Sequence, residues 1–317
     1  MRAYDIKRLA VEYARIHRIV PDGQGLFPLP AFIEDIEVLL RQAIASGYSA
    51  SWQRHEWTLG NLERVDNVVD NREALCAQFG WREETPDPNA PPAYSDGQWS
   101  ELVPTVFHGA VAVLAIEGES QRLAITSRAG EISTRGVCHA LGNLLNHQEI
   151  SRRAADAERP GQIEWIVDPI TESGAFRSWL QGVDRLSSLT MKFHLPNPNV
   201  DPVIEPIVKV LTESYGTEGQ LTVKNKDGRS IDPFANEIVN AGIEMQEHDY
   251  GSINAHGEAN GQARPPFRSA DHQASDVMDP AEEGADETTL TWRTAVAMML
   301  EKLSARLRSE GGNAHSA

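Results

Sequence analysis

Between Gly161 and Glu258 the pattern of apolar residues switches repeatedly between a period of two and a period near 3.6. Few folds tolerate that alternation, because each period demands a different backbone. In QIEWIVDPI, Ile163, Trp165 and Val167 alternate with Gln162, Glu164 and Ile166, as in a strand. Phe176, Trp179, Leu180 and Val183 then fit a short helix, and LTMKFHLP (189–196) a second strand. A proline-marked loop leads to a helix over 203–214, with Ile204, Ile207, Val208 and Leu211 on its face. QLTVKNKDGRSI (220–231) reads as a strand running into a turn at Asp227-Gly228, Phe234 to Ile243 as a helix, and YGSINAHGE (250–258) as a last strand. Strands separated by helices predict an α/β domain, with α+β as the alternative, built on a mixed sheet with intervening helices.

Upstream, GAVAVLAI (109–116) and LAIT (123–126) flank a polar connection and read as a β-hairpin, which extends this core to 99–258. ISTRGVCHALGNLLN (132–146) follows as a helix with Val137, Leu141, Leu144 and Leu145 on its face and Ser133 or Thr134 as cap. Residues 1–84 read as a helical N-terminal segment. Ile6, Leu9, Ala10, Tyr13 and Ile16 share a helical face over 3–18, Phe32 to Ile44 form a broad stripe ended by Gly47, and a third helix is expected near 59–79. The stretch around Trp52 and Trp57 fits either a short strand or a helix cap. Pro86, Pro88, Pro91 and Pro92 make 85–98 a linker, since each removes a backbone donor. Residues 259–288 have the composition of a flexible acidic linker. Over 289–309, Trp292, Val296, Met299, Leu300, Leu303 and Leu307 form an amphipathic helix whose stripe must be covered, by this chain or by a second copy.

The chain carries 46 acidic against 29 basic side chains, a formal net charge of −17. Such a surface repels nucleic acid and anionic membrane at long range, so a polyanion partner must meet a local basic patch. Two distant cysteines, Cys76 and Cys138, make no disulfide framework and fit a reducing, cytoplasmic setting. The longest apolar run lies far below the roughly twenty residues that span a bilayer, and no signal-peptide pattern opens the chain.

Motifs for phosphate cradles and nucleophile elbows are absent, and no histidine pair has the spacing of a familiar zinc site. His139 and His147 fall on one helix, where ordinary surface roles suffice. Cys138 reads as inert packing. Glu164 and Asp168 share one strand face and can pair as acids or hold a cation, or simply satisfy a strand end. No catalytic residue, metal or cofactor is assigned. The concentrated positive feature is Lys224, Lys226 and Arg229 around the Asp227-Gly228 turn, which can meet phosphates or guard a sheet edge. Arg264 and Arg268 flank Phe267 as a second candidate contact.

The order of elements over 103–258 resembles the RexA-type phage-exclusion proteins and the KwaB-like subunits of antiphage systems. The likeness runs through SRAGEISTRGVCHALGNLLN, GQIEWIVDPIT, GTEGQLTVKNKDGRSIDPFANEIVNAG and YGSINAHGEANG. It implies a cytoplasmic, homo-oligomeric, non-enzymatic antiviral defence protein that binds or senses DNA with little sequence preference. A small membrane protein encoded nearby would be its partner. Only the basic run at Lys224, Lys226 and Arg229 falls where the resemblance places a matching strand and turn. An intracellular interaction or regulatory module without DNA binding is the alternative, and a metal-dependent hydrolase using Glu164 and Asp168 a further one.

Overall fold

The structure is a computed structural model that describes residues 9–19, 31–66, 72–86, 94–95, 98–99, 105–127, 132–155, 163–194, 204–213, 218–225, 229–247, 250–278 and 292–313. In chain order its elements are β1 (Leu9–Ile19), α1 (Phe32–Ser46), β2 (Ala50–Trp52), β3 (His55–Val65) and β4 (Ala74–Pro86). A small hairpin of β5 (Tyr94–Ser95) and β6 (Gln98–Trp99) precedes β7 (Thr105–Glu117), β8 (Arg122–Ser127), α2 (Thr134–Ala155) and β9 (Glu164–Pro169). Next come α3 (Ala175–Gln181), β10 (Arg185–His194), α4 (Glu205–Glu213), β11 (Glu218–Lys224), α5 (Glu237–Glu247) and β12 (Gly251–Ala259). β13 (Gln262–Ala263), β14 (Phe267–Arg268), β15 (Ser275–Met278) and α6 (Trp292–Asn313) complete the order.

These strands form two large sheets. Sheet 1 runs β15-β1-β8-β7-β4-β3-β2, with β9 also on β1; sheet 2 runs β11-β10-β12-β13, with β14 also on β12. The fold is mixed α/β with a C-terminal helix. Every described strand pair is antiparallel, so the sheets follow the α+β alternative rather than βαβ units. Apolar periodicity sets element type, but strand direction depends on where each connection returns the chain, and no side-chain pattern encodes that.

The N-terminal segment departs most from expectation. Residues 9–19 form a strand, not a helix, and it lies inside sheet 1. Ala14 and Ile16 enter the core under α1 and α2, while Val11 and Tyr13 enter the opposite core under α6. A strand buried on both faces loses its polar alternation and mimics a helical stripe. Residues 3–8 of the expected helix lie outside the described residues. The helix expected near 59–79 is instead β3 paired with β4, from Trp57 opposite Trp81 to Val65 opposite Ala74. Among the described residues only α1 survives from the helical N-terminus, with Phe32, Ile33, Ile36, Leu39, Leu40 and Ala43 buried and Gly47 in the left-handed conformation at its end. Asp35, fully buried on α1, bridges Arg18 at 3.0 Å and Arg152 at 2.5 Å, tying β1, α1 and α2 together.

The acidic stretch after Glu258 is also structured as far as Met278. Phe267, Ala274 and Met278 are fully buried there, and Phe267 packs edge-on against Phe176 and beside Trp179. The composition is sparse in apolar residues, yet Phe267 and Met278 are each placed in a core, while Val277 stays exposed. Residues 279–288 lie outside the described residues, as do 87–93 of the proline-rich stretch, although β4 continues through Pro86. α6 is covered by this chain: Ala295, Val296, Met298, Met299, Leu300 and Leu303 are buried with residues of β1, β4, β7 and β8. No helix among the described residues is long and apolar enough to cross a membrane.

Because Phe267 and Leu303 plug separate cores, Phe267→Ala should cost about 3–5 kcal/mol and Leu303→Ala about 2–5 kcal/mol. Urea unfolding midpoints check both. A midpoint unmoved by Phe267→Ala would mean that 259–278 is the linker its composition suggests.

Candidate nucleic-acid interface

Among the described residues, sheet 2 has one covered and one open face. Leu189, Met191, Phe193, Ile253 and Ala255 point into a core closed by α3, α4 and α5. The alternate positions point the other way: Gln220, Thr222 and Lys224 on β11, Ser188, Thr190 and Lys192 on β10, and Ser252, Asn254 and His256 on β12. Register aligns them in rows. Lys224 stands opposite Ser188, which stands opposite His256; Thr222, Thr190 and Asn254 make the next row, and Gln220, Lys192 and Ser252 the third. Thr190 and Thr222 share a 3.3 Å hydrogen bond across the strands. Arg268 on β14 faces Asn254, so it joins the same surface. From β11 to β14 this face is about 15 Å wide at the ordinary strand spacing.

Of the five basic residues picked out in the sequence, the fold therefore brings Lys224 and Arg268 onto one face. Lys226 lies outside the described residues. Arg229 is exposed, and its carbonyl accepts from Asn225 Nδ2 at 2.7 Å. Arg264 is used structurally: its guanidinium donates to Trp179 O at 3.4 Å and covers Gly182, where an added Cβ would run into it. Lys192 and His256 were missed. Both occupy outward positions of strands that the two-residue period had located, so the signal was present in LTMKFHLP and YGSINAHGE.

At the His194 end, this face meets β1 and β9 of sheet 1 across a polar seam. Downstream of Val11 and Tyr13, the same face of β1 presents Arg15 and His17. The Arg15 guanidinium lies 4.2 Å over the Tyr250 ring and donates to its hydroxyl at 2.8 Å. The His17 ring, almost fully buried, sits 5.8 Å from Tyr250 and 6.0 Å from His194. His194 Nε2 is 3.4 Å from Asp168 Oδ2, and Asp168 is the register partner of Arg15. Glu218 lies 4.0 Å from His194 Nδ1.

Burial, helped by the positive charges of Arg15 and His194, drives the His17 pKa down to about 3 against the opposing pull of Asp168. Burial alone would raise the Asp168 carboxyl, but the hydrogen bond and charge of His194, with His17 and His139, hold it below the usual range. Asp168 thus works with a histidine of sheet 2, while Glu164 is exposed and pairs in register with Ile19. Among the described residues no three His, Cys, Asp or Glu side chains converge to hold a metal ion. Cys138 is packed in the core, and burial pushes its thiol pKa well up. A scan against protein-family models finds no match to this chain, and a search of curated proteins finds none.

His17 gives the seam a pH dependence of definite sign. Unfolded, its imidazole takes up a proton near pH 6.5; folded, it refuses one until about pH 3. Stability should therefore fall as pH drops through that window, by as much as roughly 5 kcal/mol. The lowered Asp168 pKa adds a loss only further down, as pH falls through the carboxylate range. Urea midpoints of His17→Phe should be flatter than those of the parent between pH 6.5 and 4, and parallel curves would refute the assignment.

Proposed function

We propose that this chain is a non-enzymatic DNA-binding protein that holds the sugar-phosphate backbone, with little sequence preference, on the open face of sheet 2. The observation that carries the reading is the convergence of Lys192, Lys224 and Arg268 with the His256 imidazole among Ser, Thr, Asn and Gln side chains. These side chains are the usual donors to phosphate oxygens, and such contacts position a duplex or strand without reading its bases. Lys226 and Arg229, adjoining Lys224 in sequence, extend the basic run.

The net charge of −17 shapes how such binding must work. At physiological ionic strength the screening length is about 8 Å, so the few cations in contact decide affinity while the remaining surface slows approach. Modest affinity and a shallow salt dependence follow. The phage-exclusion role, the cytoplasmic setting, self-association and a small membrane protein as partner are supported by the sequence resemblance. A second reading, an interaction module, is favoured by Phe234 and Ile238, which are 46% and 40% exposed beside a cleft lined by Leu180, Val183, Leu186 and Ile231.

Fluorescence anisotropy with labelled DNA across a salt series tests the leading reading. Log affinity against log salt should have a slope of about −3, and Lys192→Ala or Lys224→Ala should each reduce its magnitude by about 1. Lys209→Ala, on α4 across the sheet, should change nothing. Absence of binding at low salt, or equal effects of all three variants, would overturn it.

A further inference from the structure

Sheet 1 carries a second ordered surface that the basic face does not use. Arg135, His139, Asn143 and His147 recur every four residues along the exposed side of α2, so they form one stripe about 18 Å long. The chain between α1 and β3 runs beside it. Tyr48 stacks on His147 with ring centroids 3.8 Å apart and planes 8° from parallel, and Trp52 stacks on His139 at 4.1 Å and 13°. Between these pairs Asn143 Nδ2 donates to Ser51 O at 3.3 Å. His55, the cross-strand partner of Trp52, stacks on Trp81 at 3.8 Å and 20°. Arg54 is exposed in the turn between Trp52 and His55.

One face of each helix imidazole is covered by its indole or phenol, while His139 and His147 remain exposed. Burial and the charge of Arg135 lower the His139 pKa, which favours the neutral ring that stacks like a base. Stacked rings flanked by guanidinium groups suit nucleobases on a strand whose bases are free, because every base has a π face and paired bases hide theirs.

We infer that the His139/Trp52 and His147/Tyr48 stacks form a platform for the bases of single-stranded DNA. Arg135 and Arg54 meet its phosphates. This rests on the backbone-binding reading and narrows it to strands with unpaired bases.

The full chain is titrated into labelled oligo(dT) and into a duplex of equal length. Oligo(dT) should bind about 10-fold or more tighter, and His139→Ala with His147→Ala should weaken it about 10-fold per ring while leaving the duplex unchanged. Both substitutions lie on the solvent side of α2, and a second variant, Arg135→Ala, should weaken oligo(dT) without removing a ring. If the duplex binds as tightly, or if neither the ring variant nor Arg135→Ala weakens oligo(dT) while Lys192→Ala does, the platform is wrong and backbone binding stands. Binding to neither probe overturns both.

Discussion

β1 is the constraint on which the remaining architecture depends. Its eleven residues pair with β8 on one edge and with β15 and β9 in line on the other, joining segments from both ends and the middle of the chain. Its two faces feed two different cores: one lies beneath α1 and α2, the other beneath α6. Pairing on both edges satisfies the strand's backbone donors and acceptors while side chains on both faces leave water, the condition under which a central strand is most stable. Neither helical layer could close without it.

The same strand changes character along its length. After Tyr13 the face under α6 gives way to Arg15 and His17, and the junction with sheet 2 is made by imidazole, guanidinium, phenol and carboxylate rather than by aliphatic packing. Polar groups leave water at a cost unless they find partners. Arg15 finds Tyr250 and His194 finds Asp168, whereas His17 Nε2 has no hydrogen-bond partner among the described residues. Burial therefore keeps His17 neutral. The contrast is Asp35, also without exposure, where two arginines compensate the buried carboxylate. One buried polar site is a structural clamp, and the other is sensitive to protons.

Among the described residues sheet 2 leaves one face uncovered, because α3, α4 and α5 all lie on its other side. Its open face is populated by short polar side chains and a few cations, an arrangement that keeps an exposed antiparallel sheet in water without an apolar patch. That same chemistry matches phosphate oxygens, and the stacked rings beside α2 match bases. Asp168 and His194 come from different sheets and meet only in the folded chain.

What the sequence determined by itself was the type of most elements after residue 100 and the fate of the strong stripes: α1, α2, the β7–β8 hairpin, β9 to β12 and α6 follow their periods. A period reports which side of an element leaves water, and that is a local property. Tertiary structure decided three things that no local pattern carries. β1 is a strand because partners on both edges and both faces bury it, which erased the alternation that would have announced it. The direction of every strand was set by the path of its connections. The candidate surfaces were assembled by register, which placed Arg268 opposite Asn254 and in the row beside that of Lys224, while Arg264, four residues earlier, was committed to the end of α3. Residues distant in sequence become one surface only when hydrogen-bond registers fix which rows they share, and registers are a property of the whole sheet.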